Sequence, residues 1–211
     1  MVNDRREARN AVQAIAFIQA GYFSASQARQ VGYSYQAQKY HADHGNWTRV
    51  DRGIFRLPGW PLGPDDGYVL WHLWARGQAV VSHDTALVLH DLSDVDPVRV
   101  HLTVPPAFRA EDESVVLHRH ALADHDLEER QGFRVTSSLR TLLDVASTDL
   151  SQEHVAKAVA EALHRGSTTP RRLRSRADAM GDRAALRIER ALTAFSVDSD
   201  HGSAGRVGRS G

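Results

Sequence analysis

Two short helices with clear start signals, followed directly by a hairpin, constrain the fold of this 211-residue chain more than any other feature. In "FSASQARQVG", Ser24 precedes a helical run and Gln27 follows three residues later, which is the spacing of a capping box. In "YSYQAQKYHADHG", Ser34 has the cap position of the next helix. A glycine ends each helix. An apolar stripe over residues 5–20 predicts a further helix before this pair.

The stretch "NWTRVDRGIFRLP", residues 46–58, alternates apolar and polar side chains around the turn Asp51-Arg52-Gly53. Two such runs on either side of a glycine-bearing turn predict a β-hairpin. Three helices, the last two joined by a tight turn, and then a hairpin describe a winged helix-turn-helix. This order alone leaves two functions open, a DNA-binding domain and a small bundle with a solvated surface.

The rest of the chain predicts a second domain of mixed structure. Residues 59–67 hold three Gly and two Pro, which indicates a linker. Periodicity predicts a short strand and a helix within 79–92, helices at 68–76, 151–166 and about 182–195, and strands at 98–105, 114–120 and 133–136, the last turning helical after Thr136. The predicted class is α+β, with a winged helix-turn-helix at 1–60, a linker at 61–67, a mixed α/β domain at 68–197 and a disordered tail at 198–211.

The bulk composition excludes several classes of protein. The chain is 42% hydrophobic and 25% charged, as in ordinary water-soluble proteins. No run approaches the roughly 20 apolar residues that span a bilayer, and the N-terminus lacks the apolar core of a signal peptide, so we expect a cytoplasmic location and no membrane partner. The absence of cysteine excludes disulfides, thiol catalysis and Cys-ligated zinc.

The net charge of zero conceals an uneven distribution along the chain. Lys and Arg number 8 against 4 Asp and Glu in residues 1–60, 7 against 16 in residues 61–155, and 11 against 6 in residues 156–211. Basic ends around an acidic middle are consistent with an anionic partner. Ordinary variation of a solvated surface is the alternative.

The helix pair and the hairpin supply the candidate DNA contacts. The second helix of a helix-turn-helix lies in the major groove, where its polar side chains reach base edges. We expect exposed residues there at Ser34, Tyr35, Gln36, Gln38, Lys39 and His41. The hairpin adds cations for the phosphate backbone or the minor groove at Arg49, Arg52 and Arg56. The alternative is that these arginines pair with carboxylates of the same protein.

These segments also resemble a known family. "GYFSASQARQVGYS" followed by "GNWTRVDRGIFRLPG" is similar to the N-terminal winged helix of the AbiEi-type antitoxins of type IV toxin–antitoxin systems. Past the linker, "VVSHDTALVLHDL", "VHLTVP" and "VTSSLRTLLDVA" resemble the segments that follow in that family. Asp91 stands where the family usually has glycine, and Ser138 where proline is expected. The resemblance covers about residues 10–170.

The resemblance implies a bacterial antitoxin that represses its own operon and counteracts a nucleotidyltransferase-type toxin. Double-stranded operator DNA would be bound through the winged helix, and operator repeats imply that two copies bind together. Two alternatives stay open. One is an antitoxin that modifies its toxin by kinase-like phosphoryl transfer, and the other is a plain transcription factor whose second domain senses a ligand.

The sequence predicts no catalytic residue, no metal ligand and no cofactor, and therefore no enzyme. Two groups of histidines are candidates for a metal site, namely His83 with His90, and His118 with His120 and His125. Neither has a familiar ligand spacing, and structural zinc normally uses cysteine. Ser82-His83-Asp84 cannot form a triad, because consecutive residues on one element do not face one another. No phosphate loop or kinase signature is present.

An arginine-rich segment lies near the C-terminus. Its five arginines, with no carboxylate between them, are Arg165, Arg171, Arg172, Arg174 and Arg176. They predict a second DNA contact or a surface for an acidic toxin partner. A solvated loop between two helices is the alternative.

Overall fold

The computed structural model describes the backbone of residues 2–204 and the side chains of residues 5–197, and these residues form helices and two β-sheets. The predicted α+β class is confirmed. The internal contacts divide the described chain into two units. The first runs to Val80 and includes Glu129–Arg134; the second comprises Val81–Glu128 and the chain from Val135 onward.

The first unit begins with three helices and a small antiparallel sheet of strand order β1-β3-β2. In chain order the elements are α1 (Val2–Ile18), β1 (Tyr22–Ser24), α2 (Ala25–Gln30), α3 (Tyr35–Asp43), β2 (Thr48–Asp51) and β3 (Ile54–Arg56). The helix starts agree with the sequence: Ser24 and Gln27 form a capping box, and the Ser34 hydroxyl accepts from the backbone N–H of Ala37. Strand β1 was missed, because three residues are too few to show alternation.

Aromatic packing holds the hairpin against the helices. The Phe23 ring of β1 stacks on Phe55 of β3 with centroids 5.8 Å apart and meets Trp47 edge-to-face at 4.8 Å. Small and branched residues of the helices complete this core, namely Val12, Ala16 and Ala28. Helix α4 (Asp66–Trp74) also belongs to the first unit and begins inside the segment predicted as a linker.

The second sheet has five strands in the order β6-β5-β4-β8-β7. Their bounds are β4 (Val80–Val81), β5 (Val100–Val104), β6 (Val115–Arg119), β7 (Leu127–Arg130) and β8 (Phe133–Thr136). Strands β5 and β6 run parallel, with Thr103 opposite His118, and β4 pairs in parallel with β8. Within the described part of the chain β6 is an edge strand, since β5 is its one neighbour in the sheet.

Five helices accompany this sheet: α5 (His83–Leu89), α6 (Ser138–Ala146), α7 (Gln152–His164), α8 (Pro170–Met180) and α9 (Asp182–Ala204). Their apolar faces form the large core of the second unit, which includes Leu87, Leu142, Val159, Leu173 and Ile188. Of the predicted disordered tail, 198–211, the backbone of α9 takes up the part to Ala204, and residues 205–211 lie outside the described chain.

The arginine-rich segment is not the loop that the sequence allowed. Thr169 caps α8 by accepting from the backbone N–H of Arg172, and Pro170 occupies the first turn, where its missing N–H costs nothing. Leu173 and Ala177 are buried, so the helix has an apolar side despite its charge. No helix within residues 2–204 is both long and apolar enough to cross a bilayer.

Candidate nucleic-acid interface

Helix α3 presents a stripe of exposed polar and aromatic side chains. Tyr35 is 64% exposed and Tyr40 56%, and Gln36 and Lys39 are exposed between them. Residues four apart lie on the same side of a helix, so these side chains form one continuous face. Tyr35, Gln36 and Lys39 were expected from the sequence, and Tyr40 was not. Ser34 lies at the start of the helix, where its hydroxyl is used as the cap.

Gln38 does not belong to this face, and the expectation that it is exposed is wrong. Its side chain is only 3% exposed, and its Nε2 donates to the carbonyl oxygens of Ala25 and Tyr33, both at 3.0 Å. Gln38 is adjacent to Lys39 of the exposed stripe, but consecutive side chains of a helix point in different directions, so Gln38 can point inward. Gln38 therefore ties α3 to the start of α2 and is not available to a base.

The hairpin keeps two of its three arginines exposed. Arg49 and Arg52 have no ion-pair partner among the described residues. The guanidinium of Arg49 lies 5.7 Å from the centre of the Phe55 ring, a cation–π distance. Asp51, the nearest carboxylate in the sequence, accepts from the backbone N–H of Arg52 at 2.6 Å and so stabilises the turn. Both arginines can therefore meet an external anion.

Arg56 has a different environment from the other two. Its side chain is 14% exposed, its Nη2 donates to the carbonyl of Pro61 at 2.8 Å, and the same nitrogen lies 3.3 Å from Asp66 Oδ2. Its guanidinium also lies 5.1 Å from the centre of the Tyr22 ring. The alternative of pairing with a carboxylate thus holds at this position, where Arg56 links β3 to α4.

One cation near α3 was not found from the sequence. Arg29, in the last turn of α2, donates from Nη1 to the Tyr35 hydroxyl at 3.2 Å, and its guanidinium lies 4.8 Å from the centre of that ring. At the other end of α3, Lys39 pairs with Asp43 at 2.6 Å. Lys39 and, more weakly, Arg49 lower the pKa of Asp43, which places the first hairpin arginine near the end of the helix. The sequence signal that could have pointed to Arg29 is its position, six residues before the first residue of α3.

The five arginines of the C-terminal segment do not form one free basic patch. Arg165 pairs with Glu161 at 2.5 Å, Arg174 with Glu189 at 2.8 Å, and Arg176 with Asp126 at 2.7 Å. Arg171 and Arg172 are exposed and have no ion-pair partner among the described residues. The three carboxylate partners lie outside residues 165–176, so a count of charges within that segment does not include them.

The tertiary structure brings together a different set of histidines from the two groups in the sequence. His83, His101 and His118 come together from α5, β5 and β6, while His90 lies apart, with Nε2 2.7 Å from the carbonyl oxygen of Thr136. His120 and His125 are exposed. Within the described side chains, no three His, Asp or Glu residues are arranged to hold a metal ion.

No protein-family model matches this chain, and no curated protein shows significant similarity to it.

Proposed function

We propose that the chain is a DNA-binding regulator of the antitoxin type. In this proposal the first unit is a winged helix-turn-helix, α3 is its recognition helix and the β2–β3 hairpin is its wing. The observation that carries the proposal is the exposed face of α3 next to a hairpin in which Arg49 and Arg52 have no carboxylate partner among the described side chains. Arg56, by contrast, is paired within the protein through Asp66.

The roles of the side chains follow from their geometry. Gln36, with a donor and an acceptor on one amide, suits the N6 and N7 edge of adenine, and Tyr35 and Tyr40 offer hydroxyls and ring faces beside it. Arg29, Arg49 and Arg52 would contact phosphates and so set the register on the duplex. Gln38 and Arg56 act within the fold.

The resemblance to AbiEi-type antitoxins supports the wider part of the proposal. We infer that the protein is cytoplasmic, represses its own operon, and counteracts a nucleotidyltransferase-type toxin encoded beside it. Repeated operator sites would be occupied by two copies, as a dimer or cooperatively on the DNA. Covalent modification of the toxin and ligand sensing by the second domain are the alternatives.

The DNA part is tested by fluorescence anisotropy with a labelled duplex from the protein's own upstream region, titrated at several salt concentrations. Each lost phosphate contact lowers the slope of log K against log salt by about 0.9. The double variant Arg49→Ala/Arg52→Ala should therefore lose about two units of slope and at least about tenfold in affinity per arginine, as for charged hydrogen bonds.

Arg190→Ala is the matched control, because Arg190 is an exposed arginine of α9 with no described ion-pair partner. It should retain the affinity and the slope. Equal binding by the double variant and by the unmutated protein would refute the role of the hairpin.

The toxin part is tested separately. The purified protein is incubated with the neighbouring nucleotidyltransferase and a nucleotide, and the toxin is then weighed by mass spectrometry. A neutralised toxin of unchanged mass supports control of the operon or direct binding. A mass increase by one phosphoryl group supports modification. A neighbouring gene of another class supports the plain transcription factor.

A further inference from the structure

Three imidazole rings from separate elements are in contact in the second unit. The rings of His83 and His118 are nearly parallel, at 10°, with centroids 3.4 Å apart. Nε2 of His118 lies 3.2 Å from Nδ1 of His101, so that one nitrogen donates its hydrogen to the lone pair of the other. A hydrogen bond of this kind requires at least one neutral imidazole. We call these three residues the histidine cluster.

The polar groups around the cluster are mostly neutral or positive. The Ser82 hydroxyl lies 2.9 Å from Nδ1 of His83 and accepts from the hydroxyl of Thr103 at 2.8 Å. Arg140 from α6 and His120, just after β6, are further positive or protonatable groups that lower the pKa of His83. Near His101, Asp84 acts to raise the pKa of the ring and Arg99 acts to lower it, so their effects oppose each other.

These surroundings keep the cluster uncharged. Burial is the main cause and the neighbouring histidines add to it: the pKa of His83 falls to about 2 and that of His118 to about 4. The pKa of His101 is also lowered, chiefly by burial. Two charged rings could not remain stacked at 3.4 Å.

The cluster lies at one edge of the five-stranded sheet. Strand β6 carries His118, and β5 is its one neighbour in the sheet. Beyond the strand the chain is held by the backbone N–H of His120, which donates to the carbonyl of Val104 at 3.0 Å. Detaching β6 would bring His118 into water and uncover the ring of His83, and the rest of the sheet would keep its pairing.

We propose that the histidine cluster is an acid-operated latch, in which three neutral imidazoles hold edge strand β6 on β5 and proton uptake at mildly acidic pH releases the strand. This device does not depend on the proposed DNA binding. It makes one edge of the second unit available for pairing in acid and closed at neutral pH.

The direction of the effect follows from linkage. A histidine whose pKa is lower in the closed state takes up its proton on opening, so the closed state is fully favoured above about pH 6.5 and loses this advantage as the pH falls. From pH 7.5 to 5.5 each such group raises the opening constant by about tenfold. His83 and His118 together should raise it by about a hundredfold.

Amide hydrogen exchange of the full chain, measured by mass spectrometry at pH 7.5, 6.5 and 5.5 and corrected for the intrinsic rate, tests the latch. We expect the protection of residues 115–119 to fall by about a hundredfold over this range, with the protection of α7 nearly unchanged. An equal loss of protection across all peptides of the second unit would mean global acid unfolding and would overturn the proposal.

His118→Gln removes one titrating ring and keeps a polar side chain, so the response of residues 115–119 should shrink to about tenfold. His164→Gln is the control, because His164 is an exposed histidine of α7, and it should retain the full response. A full response in His118→Gln would overturn the proposal. If that variant does not fold, the imidazole ¹⁵N shifts of the unmutated protein decide: rings that protonate near pH 6.5 while β6 stays protected refute the latch.

Discussion

Replacing Arg140 by leucine should cost more stability than any change of a surface charge. Arg140 is 5% exposed and sits between two buried carboxylates. Its Nε donates to Asp144 Oδ1 at 2.8 Å and its Nη1 to Asp126 Oδ2 at 3.0 Å. Asp126 would keep Arg176, at 2.7 Å. Asp144 would lose its charged partner, and its Oδ2 already has no hydrogen-bond partner.

The expected magnitude follows from this difference between the carboxylates. Removing one member of a buried ion pair typically costs about 3–5 kcal/mol, because the remaining charge is left buried. Since one of the two carboxylates keeps an arginine, we expect the lower end, about 3 kcal/mol in the free energy of unfolding. The double variant Arg140→Leu/Asp144→Leu should recover most of this loss, because an apolar pair of similar volume needs no charge compensation.

The assay is urea unfolding at pH 7.5, followed by circular dichroism. Arg183→Leu is the control, because Arg183 pairs with Asp149 at 2.6 Å but that aspartate side chain is 98% exposed. A surface pair of this kind contributes at most about 1 kcal/mol. Equal losses in Arg140→Leu and Arg183→Leu would refute the argument from burial.

A pH series adds a second check on the same variant. Burial raises the pKa of Asp144 to about 6 although Arg140 acts to lower it. Without Arg140 the folded-state pKa of Asp144 rises further, so the folded variant binds a proton that the unfolded chain releases. The deficit of Arg140→Leu should therefore shrink as the pH falls from 7.5 to 5.5. A deficit that is constant over this range would show that the lost stability does not come from the buried carboxylate.

Two further predictions concern the first unit. Gly132→Ala should cost about 1–3 kcal/mol more than Gly45→Ala in thermal unfolding. Both glycines have positive φ, but only at Gly132 would an added Cβ lie 2.8 Å from the backbone of Gln19. Equal costs would show that backbone strain alone decides. Gln38→Ala should lower the free energy of unfolding by about 1–3 kcal/mol, because it removes the two hydrogen bonds that the buried side chain donates to the carbonyls of Ala25 and Tyr33. Gln36→Ala should leave stability unchanged and alter the base preference of the proposed DNA complex. The reverse pattern would reassign the two glutamines.

The parts of the fold that were predicted depend on interactions within a few residues. Ser24, Ser34 and Ser151 cap helices through backbone groups three residues away, so residue type and spacing are sufficient to locate them. Helix α8 was missed because its polar and charged side chains hide an apolar side of only two buried positions, Leu173 and Ala177.

Amino-acid order alone was enough for the α+β class, the caps of the helix pair and the hairpin with its arginines, because those signals come from local hydrogen bonding and periodicity. Tertiary structure decided which polar residues stay exposed. Gln38 and Arg56 are committed to Ala25 and Asp66, partners 13 and 10 residues away. The histidine cluster exists only because β5 and β6 run parallel and in register beside α5. Contacts between distant segments depend on how the elements pack, and residue spacing carries no record of that packing.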